Sequence, residues 1–110
     1  MAKDDYFVIM YMLLKRLYSL LKEGKVISEQ ELKELGSQYN QKYWDYILLN
    51  LTDSGYITGI TQVKTFGGSS ISFADNVQIT PAGIEYLFSN SMMERVKNTL
   101  KDIKGMIPGA

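Results

Sequence analysis

Apolar residues recur along this chain at two spacings, one helical and one extended. From Tyr6 to Leu14 the run is unbroken, and Val8, Met12, Leu13, Leu17, Leu20 and Leu21 form a stripe at helical spacing. The pattern predicts a first helix over about 4–23, with Asp4 or Asp5 at its N-cap and Gly24 just past its end. A helix apolar nearly all round is covered on more than one side. Val26 and Ile27 read as a short extended piece. Ser28 and Glu31 form a capping box that opens a second helix over about 28–35, with Leu32 and Leu35 inward and Gly36 as its stop. Asn40 then caps a third helix over about 40–54. Its Trp44, Ile47, Leu48 and Leu51 fall at i, i+3, i+4 and i+7, a core stripe.

After Gly55 the period changes. Two extended segments, 56–66 and 71–79, meet at Gly67-Gly68 and predict a hairpin. Pairing them about Gly68 sets Ile57 opposite Ile79, Gly59 opposite Val77 and Val63 opposite Phe73. That register gathers Ile71, Phe73, Val77 and Ile79 on one face, with Asp75 the exception. Thr80-Pro81 opens a fourth helix over about 81–90, carrying Ile84, Leu87 and Phe88 inward. Ser91 and Glu94 make a second capping box. It starts a fifth helix over about 92–104, with Met93, Val96, Leu100 and Ile103 on one side. The result is mainly α with a small β-hairpin, an α+β chain in the order of a winged helix-turn-helix with additional C-terminal helices. One domain over 1–104 is expected, with a flexible tail at 105–110.

Composition narrows the chemistry more than it identifies it. Among 110 residues there is no Cys and no His. That removes disulfides, thiolate metal sites, a Cys nucleophile and histidine acid–base catalysis. Gly67-Gly68 has no following Lys-Ser/Thr, so it is not a phosphate loop. Glu29, Glu31 and Glu34 read as a solvated helix face rather than a metal site. No catalytic, metal or cofactor-binding residue is expected, and the chain reads as a non-enzyme. Asp4 and Asp5 stand where a signal peptide would be basic. The longest apolar run falls far short of the ~20 residues of a membrane span. A cytoplasmic protein with no membrane partner is expected.

Three stretches resemble a known family. MAKDDYFVI, ITPAGIEYL and SMMERVKNTLKDIKGMIPG look like the YjcQ-like proteins, small winged-helix proteins of Gram-positive bacteria and their phages. The resemblance covers most of the chain. It implies a winged-helix fold and a cytoplasmic or prophage-associated protein, and it carries over no functional residues.

A winged helix offers its third helix and its wing to a partner. The leading reading is duplex DNA binding in transcriptional or phage regulation. Its candidate contacts are Gln38, Asn40, Gln41, Lys42, Tyr46 and Asn50 on the third helix, and Lys64, Ser69 and Ser70 at the wing. Amides pair well with adenine, but phosphate anchors are needed to hold the protein in place. The charge is arranged poorly for that. Residues 28–55 carry two basic and five acidic side chains, net −3, while the terminal segments 1–27 and 80–110 carry the positive excess. The alternative is therefore a protein–protein interaction module without DNA, and an exposed Tyr46 and Leu49 at i, i+3 suit it. A homodimer is expected, with Tyr6, Ile9, Met10, Met93, Val96, Leu100 and Ile103 as its seam. The other arrangement of that stripe folds the fifth helix back onto the first helix of its own chain.

Overall fold

The computed structural model describes the backbone of residues 5–65 and 68–106, and the side chains of residues 6–61 and 76–100. The described residues form five helices and a two-stranded antiparallel sheet: α1 (Asp5–Lys22), α2 (Glu29–Gly36), α3 (Gln41–Asp53), β1 (Ile57–Thr65), β2 (Gly68–Ile79), α4 (Pro81–Ser89) and α5 (Ser91–Met106). The fold class is mainly α with one hairpin, as the periodicities predict. The expected tail begins inside α5, and residues 107–110 lie outside the described residues, as does Asp4.

α1 is the helix that the others cover. It packs against α5, α4 and β2. Ile9, Met10, Tyr11, Leu13, Leu14, Leu17 and Leu20 are all buried. The expected stripe is therefore rotated. Met12 is 46% exposed and Leu21 37% exposed, and Val8 is half-buried. The apolar run made many faces equally plausible in sequence, and the helices that arrive later select among them.

The seam assigned to a second copy is occupied within one chain. Ile9, Met10, Met93 and Val96 are 3%, 4%, 0% and 3% exposed. Tyr6 and Leu100 are half-buried against the same core, and the side chain of Ile103 lies outside the described residues. α5 thus folds back onto α1, the alternative the sequence left open. The physical reason is proximity. α4 leads directly into α5 and packs against both α5 and α1. Burying each side chain in cis is worth roughly 1.5–3 kcal/mol with no association entropy to overcome.

Local capping matches the sequence in part. Ser28 Oγ accepts the N–H of Glu31 at 3.0 Å, but the Glu31 carboxylate turns to Arg16 of α1 instead of completing the box, with Nε···Oε2 at 2.7 Å. Val26 and Ile27 form no strand; Ile27 is buried and Val26 exposed. Gly36 does not follow α2 but ends it, lying against the Trp44 indole where an added Cβ would come within 2.5 Å of the ring. At the start of α5 the cap is Asn90, whose Oδ1 accepts from Met92 at 2.9 Å, not Ser91. Phe88, expected inward, is 60% exposed, with its ring edge-on to Tyr18.

The hairpin pairs Ile57 with Ile79 as predicted, but the register shifts twice before the tip. Val63 pairs with Ser70 rather than Phe73, and Thr61 takes Phe73. The expected pairing assumed regular strands. Asn76 has φ +55° and Gly59 φ +95°, so irregular backbone in both strands slides the upper hairpin relative to its base. The side chains of Ile71 and Phe73 lie outside the described residues, whereas Ile57, Val77 and Ile79 are buried as expected.

One junction locks the hairpin to both flanking helices. Gly55, at φ +79°, turns the chain out of α3, and the next N–H, of Tyr56, bonds Leu51 O at 2.9 Å. Thr80 reaches this turn from the far strand. Its N–H bonds Tyr56 O at 2.9 Å, its hydroxyl donates to Gly55 O, and the same oxygen accepts the Gly83 N–H at 3.0 Å. A Cβ at Gly83 would collide with the Tyr56 carbonyl oxygen. Gly83→Ala is expected to cost about 1–3 kcal/mol, as overpacking against immovable backbone does. Urea unfolding measures this, and a wild-type midpoint would show that α4 does not sit that close.

Candidate functional site

α3 has one face committed to the core and one left over. Asn40 starts it: Oδ1 accepts the Lys42 N–H at 2.9 Å and the Tyr43 N–H at 3.4 Å. Trp44, Ile47, Leu48 and Leu51 are 5%, 0%, 2% and 1% exposed, and the helix packs on β1 and β2. That burial fixes its rotation. At about 100° per residue, the positions opposite the core are Lys42, Tyr46, Leu49 and Asp53, a ridge about 60° wide. Tyr46 is 58% exposed, Leu49 is half-buried, and Lys42 and Asp53 are exposed.

The amides expected to read bases are mostly engaged. Asn40 is the cap. Gln41 Nε2 donates to Asp45 Oδ1 at 2.8 Å. Asn50 Nδ2 donates to the Tyr46 carbonyl at 2.7 Å. Gln38 and Lys42 are exposed, and neither has a side-chain hydrogen bond or ion pair with the described residues. The structure thus brings Lys42, Tyr46 and Asn50 to one helix flank, and leaves Gln38 ahead of the helix with Asn40 as its cap. In the hairpin, Lys64 pairs with Ser69 and Val63 with Ser70 through the backbone; the side chains of Lys64, Ser69 and Ser70 lie outside the described residues.

Aromatic side chains border this face. Tyr6 of α1 meets Tyr46 edge-on at 6.2 Å, and Tyr39 stacks on Trp44 at 6.1 Å. Tyr39 and Tyr43 are half-buried and pack against the core. Burial, then the nearby phenols of Tyr46, Tyr86 and Tyr43, raises the Tyr6 hydroxyl above its ordinary pKa. Burial, then Tyr56, raises Tyr86, whose ring stacks on Tyr56 at 4.5 Å.

The electrostatics of α3 run against its own dipole. No acidic residue lies in the first turn and no basic residue in the last; Lys42 is at the positive end and Asp53 at the negative end. Each such placement costs an exposed helix ~0.3–1 kcal/mol. Neither Leu49 nor Asp53 was among the candidate site residues read from the sequence. Their signal was the spacing of the ridge, i, i+4, i+7 and i+11.

The acidic cluster of α2 is tied up in surface contacts. Glu31 pairs with Arg16, Glu29 with Lys33 at 3.6 Å, and Gln30 bonds Glu34 at 3.1 Å. The Arg16 hydrogen bond holds the Glu31 carboxyl below its usual range. No group of metal-ligating side chains occurs among the described residues. A concavity of about 330 Å³ lies between the start of α2 and β2, lined by Val26, Ile27, Ser28, Glu29, Leu32, Asn76 and Val77. None of the polar or charged residues among those described is buried. No helix of the described residues is long and apolar enough to cross a membrane.

Residues 11–106 match the family model described as YjcQ protein. No curated protein matches the chain, and no solved structure does.

The raised phenols set a pH dependence. A group whose folded pKa is raised contributes stability that is complete below its unfolded value and is lost as pH climbs through the folded one. For Tyr6 and Tyr86 that decline starts near the ordinary phenol value of 10.0. Denaturation midpoints measured from neutral to strongly alkaline pH are expected to fall in this window, and to fall less in Tyr6→Phe. Equal declines in the two proteins would contradict the assignment.

Proposed function

The chain belongs to the YjcQ family, and on that premise we propose that it is a winged-helix domain whose third helix docks a protein. The element order supports the fold reading: three helices, a hairpin directly after the third, then two further helices. α2 and α3 take the places of the helix-turn-helix pair, and β1 and β2 that of the wing. The observation that carries the docking reading is the outer ridge of α3. An exposed Tyr46 stands at its middle beside Leu49, while three of the four amides suited to base edges are already bonded within the chain.

Exposed aromatics anchor protein interfaces. DNA affinity depends first on phosphate neutralisation, and α3 has one cation against two carboxylates, Asp45 and Asp53. The reading is non-catalytic, since a chain without Cys or His lacks the usual nucleophile–base pairs.

A second reading, a DNA-binding regulator of a phage or prophage, is favoured by one observation. Gln38 and Lys42 are exposed at the entry to α3, where a groove-reading helix makes its first contacts. Titrating the full chain into labelled mixed-sequence duplex at low salt separates the two. The docking reading expects no anisotropy change at micromolar protein. Binding that weakens with salt at a log–log slope of about −2 to −3, and that is lost in Lys42→Ala, would establish the DNA reading instead.

A further inference from the structure

The outer ridge of α3 is its own complement. Its four residues are placed symmetrically about the midpoint between Ile47 and Leu48: Tyr46 and Leu49 one step outside those residues, Lys42 and Asp53 five steps outside. If a second α3 is laid antiparallel across this ridge on a two-fold axis, each ridge position lies level with its mirror on the other copy. Lys42 faces Asp53 of the other copy at both ends, and the Tyr46 and Leu49 side chains of the two copies fill the centre. A cation meets a carboxylate at each end, and apolar side chains meet between them. We propose that the occupant of this ridge is a second copy of the chain, held by an antiparallel pair of α3 helices. The proposal rests on the docking reading above and names its partner.

Three observations carry it. Lys42, Tyr46 and Asp53 of the ridge are exposed and Leu49 is half-buried, since the opposite face holds the core stripe and fixes the rotation of the helix. Lys42 and Asp53 form no ion pair with the described residues, unlike Glu29, Glu31 and Lys33 on α2. Both charges also sit at the wrong ends of their own helix dipole. Antiparallel pairing reverses that penalty, because each charge then lies beside the opposite terminus of the partner helix. An isologous contact of this kind closes on itself and forms a dimer rather than a filament.

The face is narrow. One helix ridge with the flanking Tyr6 is below the ~800 Å² per partner of a standard stable interface. The dimer is therefore expected to dissociate on dilution and to weaken with salt. It would also cover Lys42, so self-pairing and duplex binding through α3 exclude one another.

The test is a charge swap read by sedimentation equilibrium. Lys42→Asp and Asp53→Lys change exposed side chains that make no contacts in the core, and circular dichroism verifies that each variant is folded. Each single variant sets like charges together at both ends and is expected to weaken dimerisation roughly tenfold. The double variant Lys42→Asp/Asp53→Lys restores opposite charges and is expected to recover wild-type association within about threefold. A wild-type chain still monomeric at about 1 mM would overturn the proposal, as would single variants that dimerise like wild type or a double variant without recovery. A monomeric chain that also ignores duplex DNA would leave the docking reading standing with a different protein as occupant. Duplex binding lost in Lys42→Ala would remove the docking reading itself.

Discussion

The first helix needs cover, and the rest of the structure supplies it. Its sequence from Tyr6 to Leu14 has no polar face to offer water, and one helix has too little surface to hide itself. α5, α4 and β2 all pack against it. This explains why the chain returns to α1 after the hairpin, and why α5 carries Met93 and Val96 at full burial. The Thr80 junction follows from the same demand. Once β2 lies on α1, the next helix must turn back sharply, and Gly83 lets α4 come down onto the Tyr56 carbonyl to do so.

With α1 satisfied inside the chain, the exposed apolar surface shifts elsewhere. Among the described residues, the side chains expected at a seam on the terminal helices are buried or half-buried within the chain. What remains outside among the described residues is Tyr46 on α3, Phe88 on α4 beside Tyr18 of α1, Met12 and Leu21 on α1, and Val26 before α2. Of these, only Tyr46 sits in a ridge whose charges also lack partners within the described residues. This is why the account places association on α3, a helix whose sequence suggested DNA.

Local signals in the sequence were legible where short-range chemistry decides. Asn40 and Thr80 cap helices as read, Gly55 ends α3, and Trp44, Ile47, Leu48 and Leu51 turn inward. Reading failed where a distant element chooses. Periodicity says that the stripe on α5 is buried but not which chain buries it. On α1, where every face is apolar, it cannot say which positions win, so Met12 and Leu21 were misassigned. The hairpin base was readable because Ile57 and Ile79 must both enter the core. Its upper register was not, because irregular backbone at Gly59 and Asn76 leaves no mark in the alternation. At the site, the inward stripe and the exposure of Tyr46 were legible, but the engagement of Gln41 and Asn50 was not, since both bonds depend on rotamers chosen after the helix forms.

The most direct test of the claim that α3 is a self-docking face uses the native sequence. Backbone amide shifts of isotopically labelled protein are followed as the sample is diluted from its highest soluble concentration. The account predicts concentration-dependent shifts centred on Lys42, Tyr46, Leu49 and Asp53, with the amides of Met93 and Val96 unmoved. Shifts centred on α1 and α5 instead, or none on α3, would contradict it.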